Sequence, residues 1–310
     1  MDILSVLSQV SVLFILLIIG LILRKFNIID SYVEKGISNL VIFATLPALL
    51  ITSMNYEFSS DMLNNGLLIL RAGPIIYVIT GIIAYLYIKI NKIEGQEKGI
   101  YIFMTMFPNV GFMGYPVVSI VFGEIGIFYA ALFNLWFNIL LWTLGVILVN
   151  PKNNTKLSFK ALINPGTISI FIGLALFLFS INLPTPIFDA LDSLGNATTP
   201  LAMIVIGSML GESTLTEIFK NRFLIGSTFI RLVFIPAALM IILSIIPLPS
   251  MLAGIIAILM AMPTAANAAI FAKRFDSDYK LASEGVFLST LLSIITIPLF
   301  ISILMNVLEL

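Results

Sequence analysis

Two short stretches combine helix-breaking residues with polar side chains inside long apolar segments of this 310-residue chain. The first is MTMFPNVGFMGYP at 104–116, and the second is MAMPTAANA at 260–268. A proline removes a backbone donor and clashes with the preceding turn, so nearby carbonyls and amides lose their helical partners. Where each helix restarts, its first amides carry partial positive charge and attract anions. The pattern predicts an anion site built from two broken helices.

The candidate binding residues lie at these two breaks and on neighbouring apolar segments. Asparagines beside matched prolines favour a binding role, and small residues let a ligand or another backbone approach closely, although both also occur in ordinary helix packing. Asn134 and Asn138 are one helical turn apart and fit a cavity or interhelical hydrogen bonding equally well. The residues predicted to bind substrate are Pro108, Asn109, Gly111, Gly114, Pro263, Thr264, Ala265, Asn267, Arg231, Asn134 and Asn138.

Arg231 is a charge placed deep within an apolar segment. It lies about ten residues into that segment, roughly 15 Å deep at 1.5 Å per residue. A charge at this depth is costly and indicates function. The guanidinium suits a substrate carboxylate, and a structural bridge to a carbonyl or snorkelling to an interface fits equally well. The last segment carries three more polar residues that fit either a binding role or helix packing, namely Ser289, Thr290 and Ser293.

The composition excludes most soluble and catalytic classes. The chain is 60% hydrophobic and 10% charged, whereas soluble domains carry about 25% charged residues. The absence of His and Cys excludes disulfides, thiolate or imidazole metal sites and the usual nucleophile–base pairs. A formal net charge of zero gives no basic surface for nucleic acid. No cofactor is expected, and the sequence assigns no metal; a sodium site of carbonyls and hydroxyls remains open.

Ten segments approach the roughly 20 apolar residues that a spanning helix needs. With the N-terminus outside, fourteen of the 16 basic residues fall in the inner loops. This asymmetry supports ten spans with both termini outside and predicts an all-α polytopic membrane protein. The predicted spans are 3–23, 36–54, 64–90, 99–122, 125–149, 164–182, 190–211, 221–246, 251–273 and 283–307.

The Lys-containing linker 150–163, predicted to be cytoplasmic, divides the chain into residues 1–149 and 164–310, each with five spans. An odd number of spans per half predicts that the second half enters the membrane inverted. Pro47 and Pro200 occupy the second span of each half, and the broken span is the fourth in each. A matched pair of interrupted spans in an inverted repeat points to a transporter binding site.

Four stretches, in order along the chain, resemble the auxin efflux carrier family, which includes plant PIN carriers and bacterial malate and malonate permeases. The resemblance implies ten helices in two inverted five-helix repeats, with spans 4 and 9 crossing as broken helices. It also implies a scaffold of spans 1, 2, 6 and 7 and an elevator-type transport domain of spans 3–5 and 8–10. The stretches are PNVGFMGYPV at 108–117, RLVFIPAALM at 231–240, MPTAANAAIFAKRFDSD at 262–278 and STLLSIITIPL at 289–299.

These features predict a secondary active transporter that moves a small organic anion, auxin-like or malate-like, across the plasma membrane by alternating access. The expected partners are that anion, sodium or protons as a coupling ion, the lipid bilayer, and a second copy of the chain in a homodimer. The alternatives are a sodium-coupled symporter of the bile-acid type, a passive anion channel and a membrane sensor. Without His, Cys or clustered intramembrane carboxylates, the chain is not expected to be an enzyme.

Overall fold

The computed structural model describes residues 3–95, 97–150, 163–211 and 220–307. Within these ranges the regular elements are all helices, and the one isolated bridge between extended segments pairs Pro108 with Thr264. The described helices are α1 Ile3–Lys25, α2 Ser31–Thr52, α3 Ser60–Ile90, α4 Glu97–Met106, α5 Val110–Val149, α6 Pro165–Leu178, α7 Thr185–Gly211, α8 Arg222–Ile245, α9 Ser250–Ala261, α10 Asn267–Arg274 and α11 Tyr279–Val307.

Seven of the described helices are long and apolar enough to cross a membrane, namely α1, α2, α3, α5, α7, α8 and α11. Two shorter apolar helices, α6 and α9, accompany them. The described part of the chain is therefore all-α, and its apolar helices are those of a multi-pass membrane protein. The count of ten spans and the inverted repeats stay predictions, and so does the orientation of the termini. Of the predicted linker 150–163, residues 151–162 lie outside the described residues, as do residues 212–219 of a predicted inner loop.

Gly123 interrupts α5, the longest of the apolar helices. Its φ of 64° and ψ of −157° are non-helical, in a backbone region that is essentially restricted to glycine. The interruption lies between residues 122 and 125, where the sequence predicts the end of the fourth span and the start of the fifth. Because an added Cβ would meet nothing within 4 Å, backbone conformation alone requires glycine here.

The described residues cluster into two compact units. Unit 1 comprises Met1–Leu70, Gly111–Leu135 and Leu162–Glu212. The second, unit 2, comprises Arg71–Val110, Trp136–Ala161 and Ser213–Leu310. The helices α3 and α5 each contribute residues to both units. The division into repeats at 1–149 and 164–310 stays a prediction, as does the division into scaffold and transport domain.

Unit 1 is built around the pair α1 and α7, whose backbones approach closely. A Cβ added to Gly20 would clash with the backbone of Ile204, and one added to Gly207 would clash with the backbone of Leu17. Small residues at such crossings let membrane helices pack by van der Waals contact. The two helices therefore depend on glycine where their backbones touch.

Unit 2 contains both helix breaks, with α4 ending at Met106 and α9 ending at Ala261. Each end falls shortly before a proline of the two stretches singled out in the sequence. The residues of α9 from Leu252 to Ala261 are all buried, as expected for a helix that is apolar on every face. On α11, Gly285 faces Met104 of α4, and a side chain at 285 would displace the methionine sulfur.

Replacing Gly123 by alanine is expected to lower the thermal unfolding midpoint in detergent. The positive φ costs an L-residue about 1–3 kcal/mol, and no new contact offsets this cost. The control is Gly36→Ala, at a helical site where an added Cβ also meets nothing within 4 Å, which should leave the midpoint unchanged or slightly raised. Equal midpoints for Gly123→Ala and the wild type would contradict the interrupted helix.

Candidate functional site

The two broken segments of unit 2 run antiparallel and hydrogen-bond to each other. The amide of Asn109 donates to the carbonyl of Pro263 at 2.8 Å, and the amide of Ala265 donates to the carbonyl of Phe107 at 3.0 Å. These two bonds flank the bridge between Pro108 and Thr264. Each break therefore satisfies backbone groups that the other break has released, as backbone in a membrane interior requires.

Pro108 leaves the carbonyl of Met104 without its helical donor, because proline has no amide hydrogen. The hydroxyl of Thr264 replaces that donor and reaches the Met104 carbonyl oxygen at 2.9 Å. The amide of Thr264 in turn donates to the Ser289 hydroxyl at 3.1 Å. One threonine thus connects the end of α4 to α11 across the crossing.

Arg231 provides a third connection, and its side chain is fully buried. It lies in a π-helical turn at Ile230–Phe234 within α8, a local widening that often marks functional positions. Its Nη1 donates to the carbonyl of Thr105 at 3.1 Å, and its Nη2 donates to that of Met260 at 2.7 Å. Its Nε donates to the carbonyl of Met262 at 3.0 Å. The guanidinium thus binds the C-terminal ends of α4 and α9, the helices that precede the two breaks.

Aromatic side chains surround the crossing within unit 2. The rings of Phe103 and Phe107 lie 4.6 Å apart between centroids, and Phe107 contacts Phe137 edge-on at 5.9 Å. Tyr77 packs against Phe107 at 6.3 Å and Phe271 against Phe103 at 6.1 Å. In such apolar surroundings the effective dielectric constant is low, so hydrogen bonds and partial charges at the crossing act strongly.

Not all of the predicted residues belong to this crossing. The structure brings together Pro108, Asn109, Pro263, Thr264, Ala265 and Arg231, which all lie in unit 2 and are all buried. Asn267 begins α10 in the same unit and is half-buried, as is Asn138 on α5. Gly111, Gly114 and Asn134 belong to unit 1, where Asn134 is buried.

Arg231 adopts the structural alternative that the sequence left open, a bridge to carbonyls. A role in holding the substrate carboxylate stays a prediction. Ser289 was not among the predicted binding residues, although it receives the Thr264 amide. The signal for it was only a polar side chain on the last span. The sequence indicated more clearly that the Met104 carbonyl needs a new donor, because the residue four positions later is a proline and has no amide hydrogen.

The ligand atoms available at the crossing are oxygens of backbone and hydroxyl groups. Over the described ranges, no group of three or more His, Cys, Asp or Glu residues is arranged to hold a metal ion. Side chains that hydrogen-bond to the backbone of the crossing include Thr264, Ser289 and Arg231, which contribute two neutral hydroxyls and one cation.

Comparison with known proteins gives the family. The profile described as "Membrane transport protein" matches residues 5–301. The chain belongs to this family. The resemblance to the PIN-like auxin efflux carriers is thereby confirmed, and the protein is a membrane transporter rather than an enzyme.

Two archaeal relatives of this transporter cover nearly the whole chain. An uncharacterized transporter of Methanocaldococcus jannaschii is 28% identical over 309 residues, which cover 96% of this chain and 98% of the relative. An uncharacterized transporter of Methanothermobacter thermautotrophicus is 27% identical over 294 residues, covering 92% of this chain and 94% of the relative. The similarity therefore extends over both breaks and over Arg231.

Replacing Thr264 by valine is expected to destabilise the transporter, whereas replacing it by serine is not. Valine keeps the shape but leaves the buried Met104 carbonyl without a donor, at a cost of about 1–3 kcal/mol. Serine keeps the hydroxyl. Thermal unfolding in detergent measures the difference between the two variants.

The control is Thr80→Val, because Thr80 is equally buried and its hydroxyl donates to the Tyr77 carbonyl inside the continuous helix α3. That carbonyl keeps its helical amide donor, and so the midpoint should change little. If Thr264→Val and Thr80→Val lower the midpoint equally, the hydroxyl does not replace a donor lost at Pro108.

Proposed function

We propose that the protein is a secondary active transporter for a small organic anion, a mono- or dicarboxylate of the auxin or malate and malonate type. The observation that carries the proposal is the crossing of two helices broken at buried prolines in a chain of the membrane transport protein family. Broken helices inside a membrane protein form binding sites, because they expose polar backbone where the surroundings are apolar.

The polarity of the crossing favours an anion. The eight-residue helix α10 begins at Asn267, directly after the second break, so the positive end of its dipole lies there. Lys273 and Arg274 stand in its last turn and offset its negative end. The hydrogen bonds of Arg231 go to backbone carbonyls at and just beyond the ends of α4 and α9, so its charge offsets the negative ends of these two helices.

Asn109 is suited to contact the substrate with its side chain. Its backbone amide is already bound to Pro263, and this bond does not depend on which side chain residue 109 carries. The side chain is buried, with 5% exposed. In our proposal the amide groups of Asn109 and Asn267 donate to the substrate carboxylate, and the small residue Ala265 gives it room.

The transport cycle in this proposal is alternating access across the plasma membrane, with both chain termini outside. Spans 1, 2, 6 and 7 form a dimerising scaffold, and spans 3–5 and 8–10 move as an elevator, as the family resemblance implies. Sodium or protons drive the movement.

A sodium-coupled symporter of the bile-acid type is the second candidate. The observation in its favour is the pair of hydroxyls at Thr264 and Ser289 together with backbone carbonyls at the crossing, since hard cations prefer oxygen ligands. Flux that requires sodium and carries the carboxylate inward with it favours this candidate. A passive channel gives flux that neither saturates nor increases with exchangeable substrate on the opposite side.

Purified protein in proteoliposomes is expected to move at least one carboxylate in a saturable manner. The panel contains indole-3-acetate, malate, malonate and other mono- and dicarboxylates, each tested with and without sodium and at two pH values. Counterflow by internal substrate identifies a carrier mechanism. Absence of protein-dependent flux for every carboxylate in the panel would overturn the proposal.

The variants Asn109→Ala and Asn267→Ala are expected to raise the KM of the transported carboxylate. Loss of a hydrogen bond to a charged group corresponds to about 1.5–3 kcal/mol, which is a rise of at least tenfold. The matched control is Asn306→Ala, whose exposed side chain donates to the Ser302 carbonyl near the end of α11. Unchanged KM and flux in both site variants would exclude these asparagines from the binding site.

A further inference from the structure

We propose that Arg231 sets the charge of the crossing, and thereby its preference for anions, without touching the substrate. The guanidinium neutralises the negative ends of α4 and α9, so that the positive start of α10 determines which ligands bind. Arg231 is in this sense a positioning and specificity-determining residue. The inference rests on the proposed anion transport and adds to it the origin of the selectivity.

The hydrogen bonds of Arg231 occupy equivalent positions at the two breaks. Thr105 stands three residues before Pro108, and Met260 stands three residues before Pro263. In a continuous helix their carbonyls would accept from the amides of Asn109 and Thr264. Those two amides instead donate to the Pro263 carbonyl and the Ser289 hydroxyl. The two terminal nitrogens of one guanidinium therefore replace the same lost bond in both helices.

The charge at this point follows from the direction of the two helices. Each helix carries about half an elementary negative charge at its C-terminal end, and Arg231 binds the carbonyl ends of α4 and α9 together. Two such ends sum to about one negative charge, which one guanidinium balances. Without the guanidinium, the crossing would place unpaired negative carbonyl ends next to the proposed anion site.

The burial of Arg231 separates this role from direct substrate binding. Its side chain has no exposed surface, and Nε, Nη1 and Nη2 each already donate to a backbone carbonyl. A rigid planar fork is needed to reach three carbonyls at once, and lysine cannot reproduce it. The fork therefore supplies the geometry, and the charge supplies the selectivity.

The test separates charge from geometry with two variants and two probes of similar size. Arg231→Lys keeps the charge and loses the fork, whereas Arg231→Gln loses both. Malonate carries two negative charges and its monomethyl ester carries one. Each probe is measured in proteoliposomes as a competitor of the carboxylate that gives the highest wild-type flux. Thermal unfolding midpoints of both variants are measured alongside.

The expected result is a charge-dependent loss of inhibition in Arg231→Gln. The electrostatic energy doubles when the ligand charge doubles. If inhibition by the monoester becomes about threefold weaker, inhibition by malonate should therefore become about tenfold weaker. In Arg231→Lys the ratio between inhibition by malonate and inhibition by the monoester should stay as in the wild type. Both variants should have lower unfolding midpoints than the wild type. A merely structural role predicts equal weakening for the two probes, and that result would overturn the inference.

A second pair of variants applies if Arg231→Gln does not fold. Thr228 lies three residues before Arg231 on α8 and is buried, and residues at this spacing are neighbours on a helix. Thr228→Asp places a negative charge beside the guanidinium. Thr228→Asn is the control, because asparagine has nearly the same shape as aspartate and no charge. Only in the aspartate variant should inhibition by malonate weaken more than inhibition by the monoester. Equal behaviour of the two variants would overturn the inference.

The same experiment distinguishes this inference from the function on which it rests. Wild-type protein that moves no carboxylate overturns the anion proposal and the inference together. Wild-type carboxylate flux that neither probe inhibits overturns the inference alone, because the site then does not respond to the charge of a small anion. Wild-type flux that both probes inhibit, with charge-independent changes in the variants, overturns the inference alone.

Discussion

Proline has no amide hydrogen, and two buried prolines therefore govern the arrangement of unit 2. Each leaves carbonyls without donors in a region where lipid and apolar side chains offer none. The structure resolves this by pairing the two breaks, since the amides of Asn109 and Ala265 donate across the crossing. The hydroxyl of Thr264 and the guanidinium of Arg231 provide the remaining donors. A single break would lack this partner backbone, which is why the two occur together.

Arg231 is the most expensive of these donors, because a buried charge costs several kcal/mol unless it is well hydrogen-bonded. Three hydrogen bonds to carbonyls, two of them at the ends of helices, offset that cost. The guanidinium therefore has two roles. It restores hydrogen bonds that the breaks remove, and it cancels the negative ends of two helices close to where the transporter is proposed to hold an anion.

The sequence predicts the breaks well because proline and glycine act locally. The ends of α4 and α9 fall within two residues of their prolines, and the interruption at Gly123 separates two predicted spans. The pairing of the breaks was predicted from their matching places in the two predicted halves, and the bridge between Pro108 and Thr264 joins them. The partners of Arg231 could not be read from the sequence, because Thr105 is 126 residues away. Such a contact depends on how α8 packs against the crossing.

The grouping of the site residues was also beyond sequence reasoning. Gly111 and Gly114 follow Pro108 closely along the chain, yet they belong to unit 1, while Asn109 belongs to unit 2. A role of Gly111 and Gly114 in binding stays a prediction. The two asparagines of α5 are likewise divided, because the boundary between the units lies between Leu135 and Trp136. Periodicity places them on one helix face but cannot place that boundary.

The most direct measurement of the central claim is solid-state NMR of the protein in lipid bilayers, with ¹⁵N-labelled arginine side chains and ¹³C-labelled methionine carbonyls. The structure predicts magnetisation transfer from the Arg231 guanidinium to the carbonyls of Met260 and Met262, whose oxygens lie 2.7 and 3.0 Å from its nitrogens. The Arg231→Lys variant should lose these peaks and thereby assign them. A wild-type spectrum with arginine side-chain signals but no such transfer would contradict the account.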